Sequence, residues 1–291
     1  MILVRIFGGL GNQLFQYAFA RAVSLSTDQQ VLLDVREAGS LEKEKDSTPR
    51  AYCLDHFRPR LPVCRNVERF YPYLNGSPQL LAMVGKLSEF GCLPYKFYKE
   101  TDLKYKGSLL TLKGNWYLEG WFQDSRYFRR YRDVIAKEIL PREKVKISHV
   151  LAEHLRTRQT VSVHIRRGDF KKDWNVLPVD YYYRAMERMA EKVPAPFWIV
   201  FSDEIEWVKM HMDFGKHCYF IGDKEHLKDE EEFMIMRSCR HHIIANSTYS
   251  WWGAWLGRNE DKIVIGPDKW FLTGVYSENI MPEEWARISV R

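Results

Sequence analysis

An α/β fold built from two successive domains is what this sequence predicts, on three observations. Apolar runs of strand length alternate with helix-length segments through the second half, the pattern of βαβ units and a parallel sheet. The chain opens on the same alternation: an apolar run, a glycine-rich turn, a helical segment and a second apolar run. Finally, 291 residues exceed what one compact core usually holds, about 150 residues per domain being the prior.

Taken in order, residues 2–7 read as a buried strand, 8–12 as a tight loop, 13–26 as a helix and 31–35 as a second strand. Residues 36–62 are polar and broken by Gly39, Pro49, Pro59 and Pro62, which predicts irregular structure. A strand is expected over 115–122, then helical spacing over 124–139 and 144–156. The second half alternates more cleanly, with strands at 161–165, 197–201, 219–221, 242–245 and 263–265. Helices at 180–192, 204–212, 230–239 and 249–256 lie between them. The boundary falls within 141–160, after Pro141 and before Val161, giving domains 1–150 and 151–291. No internal repeat or low-complexity tract interrupts them.

Composition narrows the function classes. The ten tryptophans predict an aromatic core first and a sugar-stacking surface second. Forty-four basic residues against thirty-eight acidic ones leave a net charge of +6, dispersed along the chain, which suits an anionic ligand without indicating nucleic acid. Cys53, Cys64, Cys92, Cys218 and Cys239 are odd in number and without a close pair, as expected of free thiols in a reducing compartment. His154, His211, His217, His226, His241 and His242 show no metal-ligand spacing, so no metal is expected. No run approaches twenty apolar residues and no secretory leader is evident, so a cytoplasmic location is expected; a fragment cut from an anchored parent reads the same way.

Three constellations carry chemistry. Gly8-Gly9-Leu10-Gly11-Asn12-Gln13 lies between a strand and a helix, where glycine lets backbone N–H groups approach an anion. Asp34, at the end of the next strand, mimics the acidic ribose ligand of dinucleotide folds. Leu14, however, stands where the third glycine of that fingerprint belongs, so an NAD-dependent oxidoreductase stays only an alternative. The second constellation, His164-Ile165-Arg166-Arg167-Gly168-Asp169, ends a strand in polar residues, where α/β sheets bind ligands. Either arginine offers a diphosphate a bidentate fork that lysine lacks, and Asp169 can hold a guanidinium or accept a proton.

The third, Asn246-Ser247-Thr248-Tyr249-Ser250-Trp251-Trp252, starts a helix with side chains suited either to capping or to an anion; Trp251, Trp252 and Trp255 read as core before sugar platform. Asp203 and Glu204, after the strand at 197–201, are candidates for a purine contact or a helix cap. A non-catalytic nucleotide-sugar or glycan-binding protein is the remaining alternative.

Read together, GGLGNQLFQYAFA at 8–20, YLEGWFQDSRYF at 117–128, VHIRRGDF at 163–170, FSDEIEW at 201–207, CRHHIIANSTYSWWGAWL at 239–256 and KIVIGPDKWF at 262–271 resemble the α-1,2-fucosyltransferases of glycosyltransferase family 11. Phe170 and Tyr249 stand where that family commonly carries Tyr and Phe. The resemblance implies a GT-B-like architecture, two Rossmann-like domains facing across a cleft, with the donor nucleotide held mainly by the second. It implies inverting transfer from GDP-fucose to a galactoside-containing glycan, without a cofactor or metal and with peripheral contact to a membrane that carries the acceptor. It places Arg166 on the diphosphate, His164 and Asp203 near the nucleoside, and Asn246, Ser247 and Thr248 in the phosphate cradle, with Gly9, Gly11 and Asn12 approaching from the other domain. The general base is left among Asp169, Asp173 and Glu119.

Overall fold

The computed structural model describes residues 1–36, 51–67, 83–84, 87, 95–171, 175–222, 227–273 and 280–290. The chain divides into two compact units, Met1–Arg142 and Glu143–Arg291.

The first unit is built on a parallel sheet of five strands, β1 (Ile2–Arg5), β2 (Val31–Asp34), β3 (Val63–Cys64), β4 (Lys96–Lys99) and β5 (Trp116–Glu119), in the order β3-β2-β1-β5-β4. Helix α1 (Leu10–Thr27) is buried almost all round from Leu10 to Val23, as a helix inside a core must be. Its Phe19 ring stacks on Phe122 at 3.8 Å. Two buried glutamines on this helix find partners in the backbone: Gln13 donates to the carbonyls of Gly8 and Ala51 and accepts from Cys53 N–H, while Gln16 accepts from Phe7 N–H. The helix starts three residues earlier than the glycines suggest. Gly9 is the N-cap and Gly11 and Asn12 lie in the first turn, because packing of this helix outweighs the weak propensity penalty of one glycine. The strand expected over 115–122 is confined to β5, since the chain turns at Gly120. The helix expected over 124–139 is two 3₁₀ turns followed by α2 (Arg132–Glu138). There the Asp124 side chain accepts from Arg126 N–H and pairs with its guanidinium, fixing a tight turn instead.

The second unit carries a six-stranded parallel sheet: β6 (Gln159–Ile165), β7 (Pro196–Ser202), β8 (Cys218–Phe220), β9 (His241–Ile243), β10 (Val264–Pro267) and β11 (Ala286–Ile288). The order is β11-β10-β9-β6-β7-β8. The helices are α3 (His149–Thr157), α4 (Val179–Ala190), α5 (Ile205–His211), α6 (Asp229–Ser238) and α7 (Thr248–Trp255). Helix α3 begins later than residue 144 because Ser148 caps it, accepting from Leu151 N–H at 3.3 Å.

Strand alternation loads both faces of this sheet. Val161, Val163 and Val200 pack with Tyr181, Tyr182 and Met189 of α4, while Phe197, Ile199 and Phe201 pack with Leu151 of α3 and Ile235 and Met236 of α6. Trp251, Trp252 and Trp255 are buried against one another, and Trp251 Nε1 donates to the Ile280 carbonyl at 2.7 Å; they are core.

Each sheet reverses its strand order beside its first strand, between β1 and β5 in one unit and between β6 and β9 in the other. Open α/β sheets bind ligands in the crevice outside the carboxyl ends of such a pair.

Candidate active site

In the second unit the turn after β6 is organised by one carboxylate. Asp203, just beyond β7, accepts from Arg167 N–H through Oδ1 and from Gly168 N–H through Oδ2, both at 3.0 Å. The same Oδ2 meets Arg166 Nη1 at 3.0 Å, and Arg166 Nη2 pairs with Asp169 at 2.8 Å. Position 168 has room only for hydrogen, since a Cβ there would sit 2.6 Å from Asp203 Oδ2. Glu204 stands at the N-cap position of α5, although its side chain makes no capping hydrogen bond there.

The two arginines are sorted by their neighbours. Arg167 lies with its guanidinium over the Trp207 ring and is paired with Glu204 at 3.0 Å. Lys171 also hydrogen-bonds Glu204 and, ahead of Arg167, holds its carboxyl below the usual carboxylate range. Arg166 remains as the guanidinium of the Asp169 and Asp203 cluster. His164 is buried beside the Tyr249 ring, with Nδ1 lacking a hydrogen-bond partner among the described residues. Burial, and then the charge of Arg166, depress its pKa to about 3, so the imidazole is neutral at physiological pH.

After β9 the chain enters α7 with Ser247 as N-cap, although its hydroxyl makes no capping bond. Asn246 is buried; its Nδ2 donates to the carbonyls of Asn175 at 2.9 Å and Trp270 at 3.1 Å, and its Oδ1 has no partner among the described residues. Asn175 itself donates its N–H to the Phe170 carbonyl and accepts from Leu272 N–H. A three-segment clasp therefore joins the β6 turn to the start of α7. Asn175 and Trp207 were not singled out from the sequence as functional; Trp207 sits in FSDEIEW, but only the fold sets it under Arg167.

In the first unit the turn after β1 presents Gly8 at φ +76° and Gly9 as the cap of α1, with open space where a Gly9 side chain would be. Asn12 Oδ1 accepts from Gln123 at 3.0 Å. Asp34 is not a ribose ligand in waiting: it is buried, paired with Arg36 at 3.0 Å and hydrogen-bonded by Tyr117 at 2.8 Å. Glu119 is held between Arg5 and Lys99, at 2.7 Å from each. Asp173 lies outside the described residues. Among the described residues no group of three or more His, Cys, Asp or Glu side chains is set to hold a metal, and no helix is long and apolar enough to cross a membrane.

With this geometry in place, the family model described as glycosyl transferase family 11 matches residues 1–289. The chain belongs to glycosyltransferase family 11. Among its relatives, the O-antigen biosynthesis glycosyltransferase WbnK of Escherichia coli is 30% identical, over 97% of this chain and 98% of its own. The alpha-1,2-colitosyltransferase of Escherichia coli is 28% identical, over 99% of each chain. The galactoside alpha-(1,2)-fucosyltransferase 1 of Bos taurus is 25% identical, over 97% of this chain and 74% of its own. The crystal structure of fucosyltransferase NodZ from Bradyrhizobium shares the fold at a TM-score of 0.50 and 14% identity, over 87% of this chain and 91% of that one.

The family 11 chain is thus GT-B-like, with two parallel α/β sheets. Family membership removes the oxidoreductase alternative, in keeping with the engagement of Asp34.

Proposed function

We propose that this chain transfers L-fucose from GDP-fucose to the 2-hydroxyl of a β-galactoside, with inversion at the anomeric carbon and without a metal. The observation that carries the reading is the position of Arg166: a guanidinium held by Asp169 and Asp203 at the switch point of the second sheet. A diphosphate leaving group needs such a fixed cation, and removing one donor of this kind typically costs about 3 kcal/mol of transition-state stabilisation. Residues 151–291 take the donor. His164 and Asp203 lie on the nucleoside side, while Asn246, Ser247 and Thr248 cradle phosphate at the start of α7. The buried, unpartnered Nδ1 of His164 and Oδ1 of Asn246 are the kind of atoms a polar ligand satisfies. Residues 1–150 form the acceptor side, and the helix start with Gly9 at the N-cap and Gly11 and Asn12 in the first turn receives an anion there.

In the displacement the acceptor O2 attacks C1, the bond from C1 to the phosphate oxygen breaks, and the O2 proton passes to a base. We assign that base to Asp169, whose side chain is 43% exposed beside Arg166 at the end of the β6 turn; Glu119 is 13% exposed and fixed between two cations. The setting is the cytoplasm, with peripheral contact to a membrane that carries the acceptor on a lipid. A second donor is favoured by the colitosyltransferase relative, which matches along the whole chain. Incubating lactose with GDP-fucose or GDP-colitose in excess EDTA, and reading linkage and anomeric configuration by NMR, tests the donor, the linkage, the inversion and the metal requirement. An α-1,2-fucosyl product is expected. Transfer from GDP-colitose alone replaces the donor, and activity that needs added Mn²⁺ replaces the metal-free mechanism.

A further inference from the structure

The first unit has its own switch-point crevice, and its wall is aromatic. β5 ends at Glu119, and the next residues turn sharply: Gly120 approaches Glu100 so closely that a Cβ would lie 2.7 Å from that side chain. Glu100 Oε2 accepts from both Trp121 N–H at 2.6 Å and Phe122 N–H at 3.0 Å. Phe122, itself buried, is held at φ +51°, a left-handed conformation that is unfavourable for a bulky side chain and persists only where its surroundings impose it. The turn therefore fixes the residue between them.

That residue is Trp121. Its ring rests on Phe7 at 4.5 Å, at the end of β1, yet it remains 38% exposed, whereas the other tryptophans of the described residues are buried or half-buried. Gly8 runs beside it, close enough that a Cβ would be 3.4 Å from the indole. Polar groups for hydroxyls share its neighbours: Arg5, 5.2 Å from the Phe7 ring, pairs with Glu119, which also holds Lys99, and Asn12, bonded to Gln123, meets the same Cβ position of Gly8 as the indole. A constrained indole face next to charged donors and acceptors suits a ligand with one apolar face and a hydroxylated rim. A galactopyranose is such a ligand, its C3, C4 and C5 hydrogens forming one apolar face.

We propose that Trp121 is the stacking residue for the terminal galactoside ring of the acceptor. The proposal rests on the glycosyl-transfer reading for its ligand, but sugar binding is measurable without transfer. Lactose binding to the intact protein is followed by saturation-transfer NMR, and acceptor KM and kcat are measured with GDP-fucose. Trp121→Ala is expected to raise the Kd and KM for lactose about tenfold while leaving the calorimetric GDP affinity unchanged, and Trp121→Phe to restore most of the loss. Trp121→Leu, which keeps an apolar contact with Phe7 but offers no π face, is expected to match the alanine variant and guards against a folding defect. Lactose binding weakened in Ala and Leu without any fucosyl transfer by the wild type supports the stacking role and sinks the donor reading. Transfer with a lactose KM within about twofold of wild type in a folded Leu variant overturns the stacking role and leaves the donor reading standing.

Discussion

At the carboxyl end of β6 the turn is held by a carboxylate, whereas at the carboxyl end of β1 it is held by amides. Asp203 grips two backbone N–H groups and a guanidinium at once. In the other unit Gln13 and Gln16 satisfy Gly8, Ala51, Cys53 and Phe7 with neutral hydrogen bonds. The difference is chemical. A charged clasp keeps a cation oriented in advance, as stabilising a developing negative charge requires, while neutral clasps fix a glycine turn without placing a charge in it. The first turn is suited to stabilising charge, the second to close approach of backbone, and each can be broken separately.

The largest effect is expected at Arg166. Lysine keeps the charge but cannot span Asp169 and Asp203 or fork to a diphosphate, so Arg166→Lys should lower kcat/KM about a hundredfold or more with the fold intact by circular dichroism. A loss below about tenfold would remove the leaving-group role. Arg167→Lys should cost less activity and more stability, because its guanidinium lies on Trp207.

The units should also part under acid. His164 and His242 are buried and neutral in the second unit, each with its pKa lowered to about 3, chiefly by burial and further by Arg166 for one and by Lys262 and His241 for the other. The unfolded chain binds these protons below the ordinary histidine value of about 6.5, so stability is full above that pH and is lost as pH falls toward 3. By pH 5 the loss should approach about 2 kcal/mol per histidine. The first unit has only His56, which is exposed. Urea unfolding at pH 7 and pH 5 should show His242→Gln with a shallower pH dependence than wild type; equal slopes would mean the imidazole is not buried neutral.

What the sequence made legible follows the same physics. The strands and helices of the second half were readable because a sheet covered on both faces needs apolar strand segments: β7 carries the run Phe197–Phe201, and β6 places Val161, Val163 and Ile165 at alternate positions. Three short edge-region strands were missed: β3, β4 and β11 have two to four residues and take their order from pairing with a neighbour. The start of α1 was misplaced because glycine reads locally as loop, whereas packing decided it. In the site, HIRRGD was visible as a polar strand end, but which arginine faces the cluster depends on Trp207 and Glu204, which only folding brings near. Likewise composition announced many tryptophans and could not say that α7 buries three while Trp121 stands exposed.

A smaller loss is expected from loosening the charged clasp without touching Arg166. Asparagine at position 203 keeps one acceptor and turns the other into a donor facing Gly168 N–H and Arg166, so Asp203→Asn should lower kcat about tenfold. Gly168→Ala forces the same contact apart sterically. If both act through the clasp, the double variant should be no worse than about the poorer single one. Additive losses would show that Asp203 works by another route, such as direct contact with the nucleoside.

The mildest change probes the neutral turn. Gly9 has an extended conformation, φ −71° and ψ 172°, and nothing within 4 Å of the Cβ it lacks, so the fold itself does not require glycine there. Serine is a better helix N-cap than glycine, since its hydroxyl accepts from a first-turn N–H. Gly9→Ser should therefore leave the melting temperature equal or slightly raised. If the amides of Gly9, Gly11 and Asn12 serve a ligand, that hydroxyl occupies one of them and fills the space through which the ligand approaches. Activity should then fall about fivefold while stability does not, the signature of a residue kept small for function. Gly8→Ser supplies the contrast: at φ +76°, with a Cβ that would lie 2.9 Å from Asn12 Nδ2, it should lose stability and activity together. A Gly9→Ser enzyme with undiminished kcat/KM would show that the open turn after β1 is only a cap, and that the first unit binds its ligand through side chains alone.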